Sequence, residues 1–250
     1  MSISQENLDD PTEPYRKASF IVPSLSFVHD NILWGYISPL DGTRYRFDIL
    51  GNPGLIDKNL SFASFLADYR TYFKFSADYS FALRLSGGYS IGGNPQRFFL
   101  GGVDNWINRK FATQNVPIES ISDFAFLTTA VPLRGYDYAQ RIGTKYTLLN
   151  FEIRFPLIKY LITGGLPLFF SNIQGVLFFD AGAAWNKNSE LKLFKRDAQN
   201  TLITNDLLMG TGVGARLFFL SFLLRYDLGW GYNLGGFTAP THYISIGVDF

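Results

Sequence analysis

The sequence predicts an all-β protein whose antiparallel strands form a transmembrane barrel. Three observations carry this prediction. Side-chain character alternates with a period of two, the alternating segments are roughly 9–11 residues long, and Tyr and Trp gather near their ends. Of 250 residues, 25 are Phe, 14 are Tyr and 4 are Trp, while only 17% are charged, against about 25% in soluble domains. So much apolar surface excludes intrinsic disorder. A net charge of +1 without a basic stretch argues against nucleic acid as a partner. Cys is absent, which removes disulfide scaffolds, thiolate metal sites and thiol catalysis, and two His are too few for a His-built zinc centre. The longest apolar stretch, Leu217 to Leu224, is broken by Ser221 and preceded by Arg216, so no helical span of about 20 residues exists.

About ten strands are expected, over 18–29, 32–38, 43–51, 60–75, 78–92, 143–156, 173–185, 207–219, 221–232 and 242–250. In 43–51, Tyr45, Phe47 and Ile49 oppose Arg44, Arg46 and Asp48. In 60–75, Phe65, Ala67, Tyr69, Thr71, Phe73 and Phe75 oppose Leu66, Asp68, Arg70, Tyr72 and Lys74. Tyr79, Phe81, Leu83 and Leu85 oppose Ser80, Ala82, Arg84 and Ser86 in the next. Later, Thr147, Leu149, Phe151, Ile153 and Phe155 oppose Asn150, Glu152 and Arg154, and Phe222, Leu224, Tyr226, Leu228 and Trp230 oppose Arg225, Asp227 and Gly229. The last segment sets Ile244, Ile246, Val248 and Phe250 against Tyr243, Ser245, Gly247 and Asp249. Turns are expected at Asp41-Gly42, Asn52-Pro53-Gly54, Ser76-Ala77-Asp78 and Leu220-Ser221, with longer polar loops near 186–205 and 233–241.

Two architectures produce this alternation. A soluble sandwich buries its apolar face and wets its polar one. A membrane barrel turns its apolar residues to lipid and its polar ones to a lumen. Strand length, the aromatics Trp34, Tyr36, Tyr79, Trp185, Trp230 and Tyr232, and polar faces of mixed sign favour the barrel. Residues 93–142 form one connection far longer than the usual 2–6 residues, rich in Phe, Gly, Asn and Arg, which is expected to enter or cap the lumen, with a short helix within Ile118 to Leu127. Residues 1–17 read as a flexible leader or a cut end of a longer chain, and 18–250 as the barrel domain.

The long connection contains Leu133-Arg134-Gly135-Tyr136. Asn150-Phe151-Glu152-Ile153-Arg154-Phe155-Pro156 follows, then Gly175-Val176-Leu177-Phe178-Phe179-Asp180-Ala181-Gly182, Gly210-Thr211-Gly212-Val213-Gly214-Ala215-Arg216 and Leu224-Arg225-Tyr226-Asp227, before an aromatic C-terminal strand. This order resembles the C-terminal barrel of the bacterial surface antigen superfamily, the outer-membrane assembly proteins of the BamA–TamA type, well over 95–250 and more loosely over 18–94. The resemblance implies that Arg134 anchors a lumen loop, with Glu152 and Asp180 as its partners, Gly135 allowing close backbone approach and Tyr136 packing beside it. It implies a C-terminal assembly signal in Ile244, Ile246, Val248 and Phe250. It also implies a bacterial outer-membrane location, an organelle outer membrane being the less favoured setting. The implied partners are the bilayer, client outer-membrane or secreted proteins, and accessory assembly subunits. No cofactor is implied. Family members typically have sixteen strands and soluble N-terminal modules, so the ten strands visible here belong to a reduced barrel or to part of a larger one.

The implied function is assisting insertion or translocation of other proteins. The alternatives are a passive barrel, anchoring a soluble domain or passing small solutes, and a barrel enzyme built on His29, beside Asp30, or His242. The enzyme reading lacks a G-x-S-x-G nucleophile motif. The Gly-rich pieces Gly92-Gly93 and Gly210 to Gly214 lack the Lys-Ser/Thr of a nucleotide loop and read instead as sites of strand bending and close packing.

Overall fold

The computed structural model describes residues 2–5, 16–19, 21–56, 58–76, 79–112, 127–158, 173–186, 189–219 and 222–247. In it, β1 (Ser2–Gln5) and β2 (Arg16–Ser19) pair with each other, and among the described residues with no other strand. The main sheet begins with β3 (Ser24–Asp30), β4 (Leu33–Trp34), β5 (Pro39–Asn52), β6 (Phe62–Ser76) and β7 (Tyr79–Gly92). Within the long connection that follows, β8 (Arg97–Leu100), β9 (Leu127–Val131) and β10 (Arg141–Gly143) form a small sheet in the order β10-β8-β9. The main sheet resumes with β11 (Lys145–Pro156) and β12 (Gln174–Trp185). A minor hairpin of β13 (Phe194–Arg196) and β14 (Leu202–Thr204) follows, and then β15 (Leu207–Phe219), β16 (Phe222–Tyr232) and β17 (Thr241–Ile246).

Hydrogen bonding sets the order β17-β16-β15-β12-β11-β7-β6-β5-β3, every neighbour antiparallel, with β4 also on β5. The strands expected over 18–29 and 32–38 prove to be one interrupted strand. Ser24–Asp30 pairs with Leu50–Arg44 and Leu33 continues opposite Asp41. The Asp41-Gly42 signal marks a kink inside β5, because Gly42 has a φ of 104° and faces the interruption at Asn31. The reversal itself comes at Gly35, whose N–H donates to the Ser38 carbonyl at 2.9 Å. The helix expected within 118–127 lies outside the described residues apart from Leu127.

Burial is the inverse of a soluble sandwich. On the outward face Phe47, Phe73, Phe75 and Phe222 are all more than half exposed, and Phe65 and Phe179 nearly so. On the inward face Glu152, Arg154 and Asp180 are fully buried, with Ser64, Asn150, Arg216 and Asp227 at 2% or less. Water would not leave so many rings exposed beside so many buried ions. Hydrocarbon outside a filled interior accounts for both.

The connections sort by end. The long ones, over 53–61, 93–144, 186–206 and 233–240, leave one end, while β6 is joined to β7 and β15 to β16 at the other, where the connections over 35–38 and 157–173 also lie. At the short-turn end the sheet curls round on itself. The Tyr36 ring lies tilted against that of Phe218 with centroids 5.4 Å apart, and Arg154 Nη1 donates to the Pro39 carbonyl at 3.3 Å, although several strands separate them in the sheet. The sheet does not close. Among the described residues no ladder joins β3 to β17, and the alternation along the path makes these two edge strands run in the same direction.

Placing a cation on the outward face tests the assignment of the two sides. Phe179→Arg, mid-strand, is expected to lower stability in lipid vesicles by about 2–4 kcal/mol in urea titrations followed by tryptophan fluorescence, and Tyr232→Arg, at a strand end, by about 0–1 kcal/mol. Equal small losses would contradict the assignment.

Candidate functional site

The described parts of the long connection fold into the concave side of the sheet and pack against β11, β12, β15, β16 and β17. Its apolar anchor is Phe98, Leu100, Val131 and Leu133, packed on the inward side chains Tyr146, Leu148, Ala184 and Leu208 of the wall. Period two puts those wall residues inside, and a connection carrying its own Phe and Leu can bury them there. A second cluster, Phe99, Val103, Trp106 and Tyr138, packs on Tyr243 of β17.

Between these clusters lies Leu133-Arg134-Gly135-Tyr136. The Arg134 backbone N–H and Nε donate to Asp180 Oδ2 at 2.9 and 2.8 Å, and Nη2 donates to Oδ1 at 2.8 Å. Nη1 donates to Glu152 Oε1 at 2.5 Å. The guanidinium plane lies 3.8 Å from the Phe178 ring centroid. The structure therefore brings Arg134, Glu152 and Asp180 together, with the fork and paired-carboxylate geometry that suits a planar cation.

The cluster extends beyond the expected trio. Arg154 Nε and Nη2 hold Glu152 Oε2 at 2.9 and 2.7 Å, and Arg216 Nη1 holds Asp227 Oδ1 at 2.8 Å. Asp227 Oδ1 is also 3.9 Å from Arg134 Nη1, and Arg216 Nη2 is 3.8 Å from Glu152 Oε1. Three arginines thus face three carboxylates, and the charges cancel. At these burials an unpaired member would cost several kcal/mol, so the six groups stand or fall together.

Glycines bring the loop close enough. A Cβ on Gly210 would lie 1.8 Å from the Arg134 carbonyl oxygen, and one on Gly229 2.8 Å from the Gly135 nitrogen. One on Gly231 would meet the Tyr136 ring at 2.8 Å. These glycines occupy inward positions of β15 and β16, and form a floor without side chains on which the loop backbone rests. Gly135 itself has a φ of 97° and stands against the Trp230 backbone. Its N–H donates to the Tyr243 hydroxyl at 2.8 Å, and that hydroxyl donates to the Tyr136 carbonyl at 2.7 Å. Tyr136 Oη donates to the Met209 carbonyl at 3.0 Å.

Tyr243, Asp227 and Arg216 were legible only as inward residues. Period two tells which side a residue faces, not which strands the loop will reach. Of the expected C-terminal signal, Ile244 and Ile246 face outward and are exposed, while Val248 and Phe250 lie outside the described residues. The two histidines stand apart from this cluster. His29 stacks on Tyr45 at 4.7 Å, and His242 Nδ1 meets the Tyr226 hydroxyl at 2.7 Å, both on the exposed face. On the other half of the sheet, inward charges are paired but wetter. Asp68 meets Arg70 at 2.6 Å and Arg84 at 2.5 Å, and Arg46 meets Asp48 at 2.7 Å.

The Omp85 superfamily domain matches residues 25–239. The chain belongs to the Omp85 superfamily. Among solved structures it is similar to BamA from Haemophilus ducreyi lacking POTRA domains 1–3, with a TM-score of 0.56 and 14% identity, covering 96% of this chain and 45% of that one. The likeness is one of fold, and the chain spans less than half of that BamA chain. No curated protein matches. The Omp85 superfamily is one of outer-membrane protein assembly and translocation, and its barrel is all-β and antiparallel as here.

Removing one member of the buried cluster leaves the rest uncompensated. Arg134→Ala is expected to cost about 3–5 kcal/mol and to abolish the heat-resistant folded band on gels, with Asp180→Asn and Glu152→Gln lowering its melting temperature. Gly210→Ala should produce the same loss without touching a charge. Normal heat resistance in all four would contradict the packing described.

Proposed function

We propose that this Omp85 chain is a bacterial outer-membrane barrel that assists insertion or translocation of other proteins by offering a strand edge to them. The observation that carries the proposal is the unclosed sheet. Its edge strands β3 and β17 run in the same direction, so an antiparallel seam between them cannot form directly. One strand running opposite to both, or any odd number of strands, restores alternation and an even count, as outer-membrane barrels require. A sheet edge attracts such strands because backbone N–H and C=O groups left without a neighbouring strand have no water to bond in hydrocarbon. No nucleotide is needed on this route, since folding of the client supplies the free energy.

In this reading Leu133, Arg134, Gly135 and Tyr136 lock the loop, Glu152 and Asp180 are its lumen partners, and Ile244, Ile246, Val248 and Phe250 form the signal by which the barrel itself is assembled. The partners are the bilayer, client outer-membrane or secreted proteins, and accessory assembly subunits. Residues 18–250 act as one barrel domain with 93–142 inserted. Loop seating and edge use are linked, because Tyr243 of β17 holds Gly135 and Tyr136.

A second reading, a passive barrel conducting small solutes, draws support from the wetter half of the interior, where Arg46 is 48% exposed beside Asp48. Photo-crosslinkers at Phe27 and Ile244 and planar-bilayer recordings separate the two. The assembly reading predicts crosslinks to nascent outer-membrane proteins at both edges and no large steady conductance. Size-selective steady conductance without client crosslinks would favour the channel and contradict assembly.

A further inference from the structure

The free edge of β17 is not bare. Beyond Val103 the chain turns at Asn105, whose φ is 55°, and runs antiparallel along the strand on the side away from β16. Trp106 bridges Ser245. The Ile107 N–H donates to the Ile244 carbonyl at 2.8 Å, and the Ile244 N–H donates to Asn108 Oδ1 at 3.0 Å. Asn108 Nδ2 then donates to the His242 carbonyl at 3.1 Å. Both outward-pointing backbone groups of Ile244 and one of His242 are therefore taken. Asn108 is a side chain acting as backbone: its amide supplies an acceptor and a donor at the spacing of a neighbouring strand.

Two contacts fix this short strap from within. Trp106 is 4% exposed, its ring lies 4.7 Å from that of Tyr243, and its Nε1 donates to Asn108 Oδ1 at 2.6 Å. Arg225 Nη2 donates to the Asp104 carbonyl at 2.8 Å. Tyr243 is the same side chain that grips Gly135 and Tyr136. On its own side the strap is thinly held, for Ile107 is 61% exposed and Asn108 is exposed.

We infer that Asp104–Asn108 is a guard strap that occupies in cis the hydrogen-bonding edge of β17, the edge an incoming antiparallel strand would use. The inference rests on the strand-capture reading above and adds its regulation. A strand can pair with β17 only when Ile107 and Asn108 leave, and Trp106 on Tyr243 ties their leaving to the seating of the loop. The strap runs antiparallel to β17, the direction an incoming strand on that edge would take. Covering an edge with a loop is a general device against wrong edge-to-edge pairing.

Because the chain has no Cys, a disulfide can pin the strap reversibly. Ile107 and Ile244 face one another, and residues opposed in a hydrogen-bonded antiparallel pair have Cα atoms about 5.5 Å apart, within disulfide reach. The probe is a photo-crosslinkable peptide with the sequence Phe222–Tyr232, which already pairs with β17 on its other side. With Ile107→Cys and Ile244→Cys, the oxidised protein is expected to crosslink the peptide at β17 at least tenfold less than the reduced protein, with crosslinking at β3 unchanged. Asn108→Ala, which removes an exposed side chain and leaves no cavity, is expected to speed exchange of the Ile244 amide tenfold or more and to raise crosslinking at β17. Equal crosslinking at β17 in the oxidised and reduced forms would overturn the guard, as would unchanged exchange in Asn108→Ala. Crosslinking at neither edge in any form would overturn strand capture instead, and the exchange result alone would then decide whether the strap covers the edge.

Discussion

A sheet that turns its rings toward hydrocarbon has to settle its charges inside. That constraint organises the rest of the molecule. Arg225 on β16 turns to the Asp104 carbonyl, and the other buried charges of that half of the wall, Glu152, Arg154, Asp180, Arg216 and Asp227 on β11, β12, β15 and β16, set two arginines against three carboxylates. Arg134, brought in on the loop, balances them. The loop is thus held by more than its apolar packing on Tyr146, Leu148, Ala184 and Leu208. Buried ion pairs gain little over apolar packing when complete, yet cost much when broken. The cluster is better understood as fixing where the loop sits than as adding net stability.

Position also depends on what is missing from β15 and β16. Gly210, Gly229 and Gly231 leave the inner surface flat where the backbone of Arg134 and Gly135 and the ring of Tyr136 come down. Any larger residue would lift the loop and open the distances to Asp180. Glycine ordinarily weakens a strand, and here that weakening lies next to the edge strand β17. The loop, the glycine floor and Tyr243 therefore join the interior to the edge of the sheet mechanically, through Gly135 and Tyr136 on one side and Trp106 on the other.

Much of this was legible in the sequence. Period two placed Glu152 and Asp180 inside and Phe151 and Phe179 outside, and the Leu133-Arg134-Gly135-Tyr136 motif pointed at the two carboxylates. The ends of most wall strands fell within a few residues of their expected places. What escaped was tertiary. Asp41-Gly42 has the composition of a turn, but Gly42 relieves an interruption in the opposite strand, which only the pairing of Asn31 with Thr43 reveals. Asp227 and Arg216 have the same alternation whether or not a loop reaches them. Residues 104–108 have no periodicity, because they imitate a strand through one Asn side chain. Tyr243 looked like one more residue of a polar face, and its hydroxyl gains meaning only when Gly135 arrives.

Which medium touches each side of the wall is the claim from which the others descend, and the Cys-free chain permits its direct measurement. Single Cys substitutions from Val176 to Gly182 on β12, each spin-labelled in lipid vesicles, report collision with oxygen, which dissolves in acyl chains. Oxygen accessibility should oscillate with a period of two, with maxima at Leu177, Phe179 and Ala181 and minima at Val176, Phe178, Asp180 and Gly182. A flat profile, or maxima at the second set, would contradict the account.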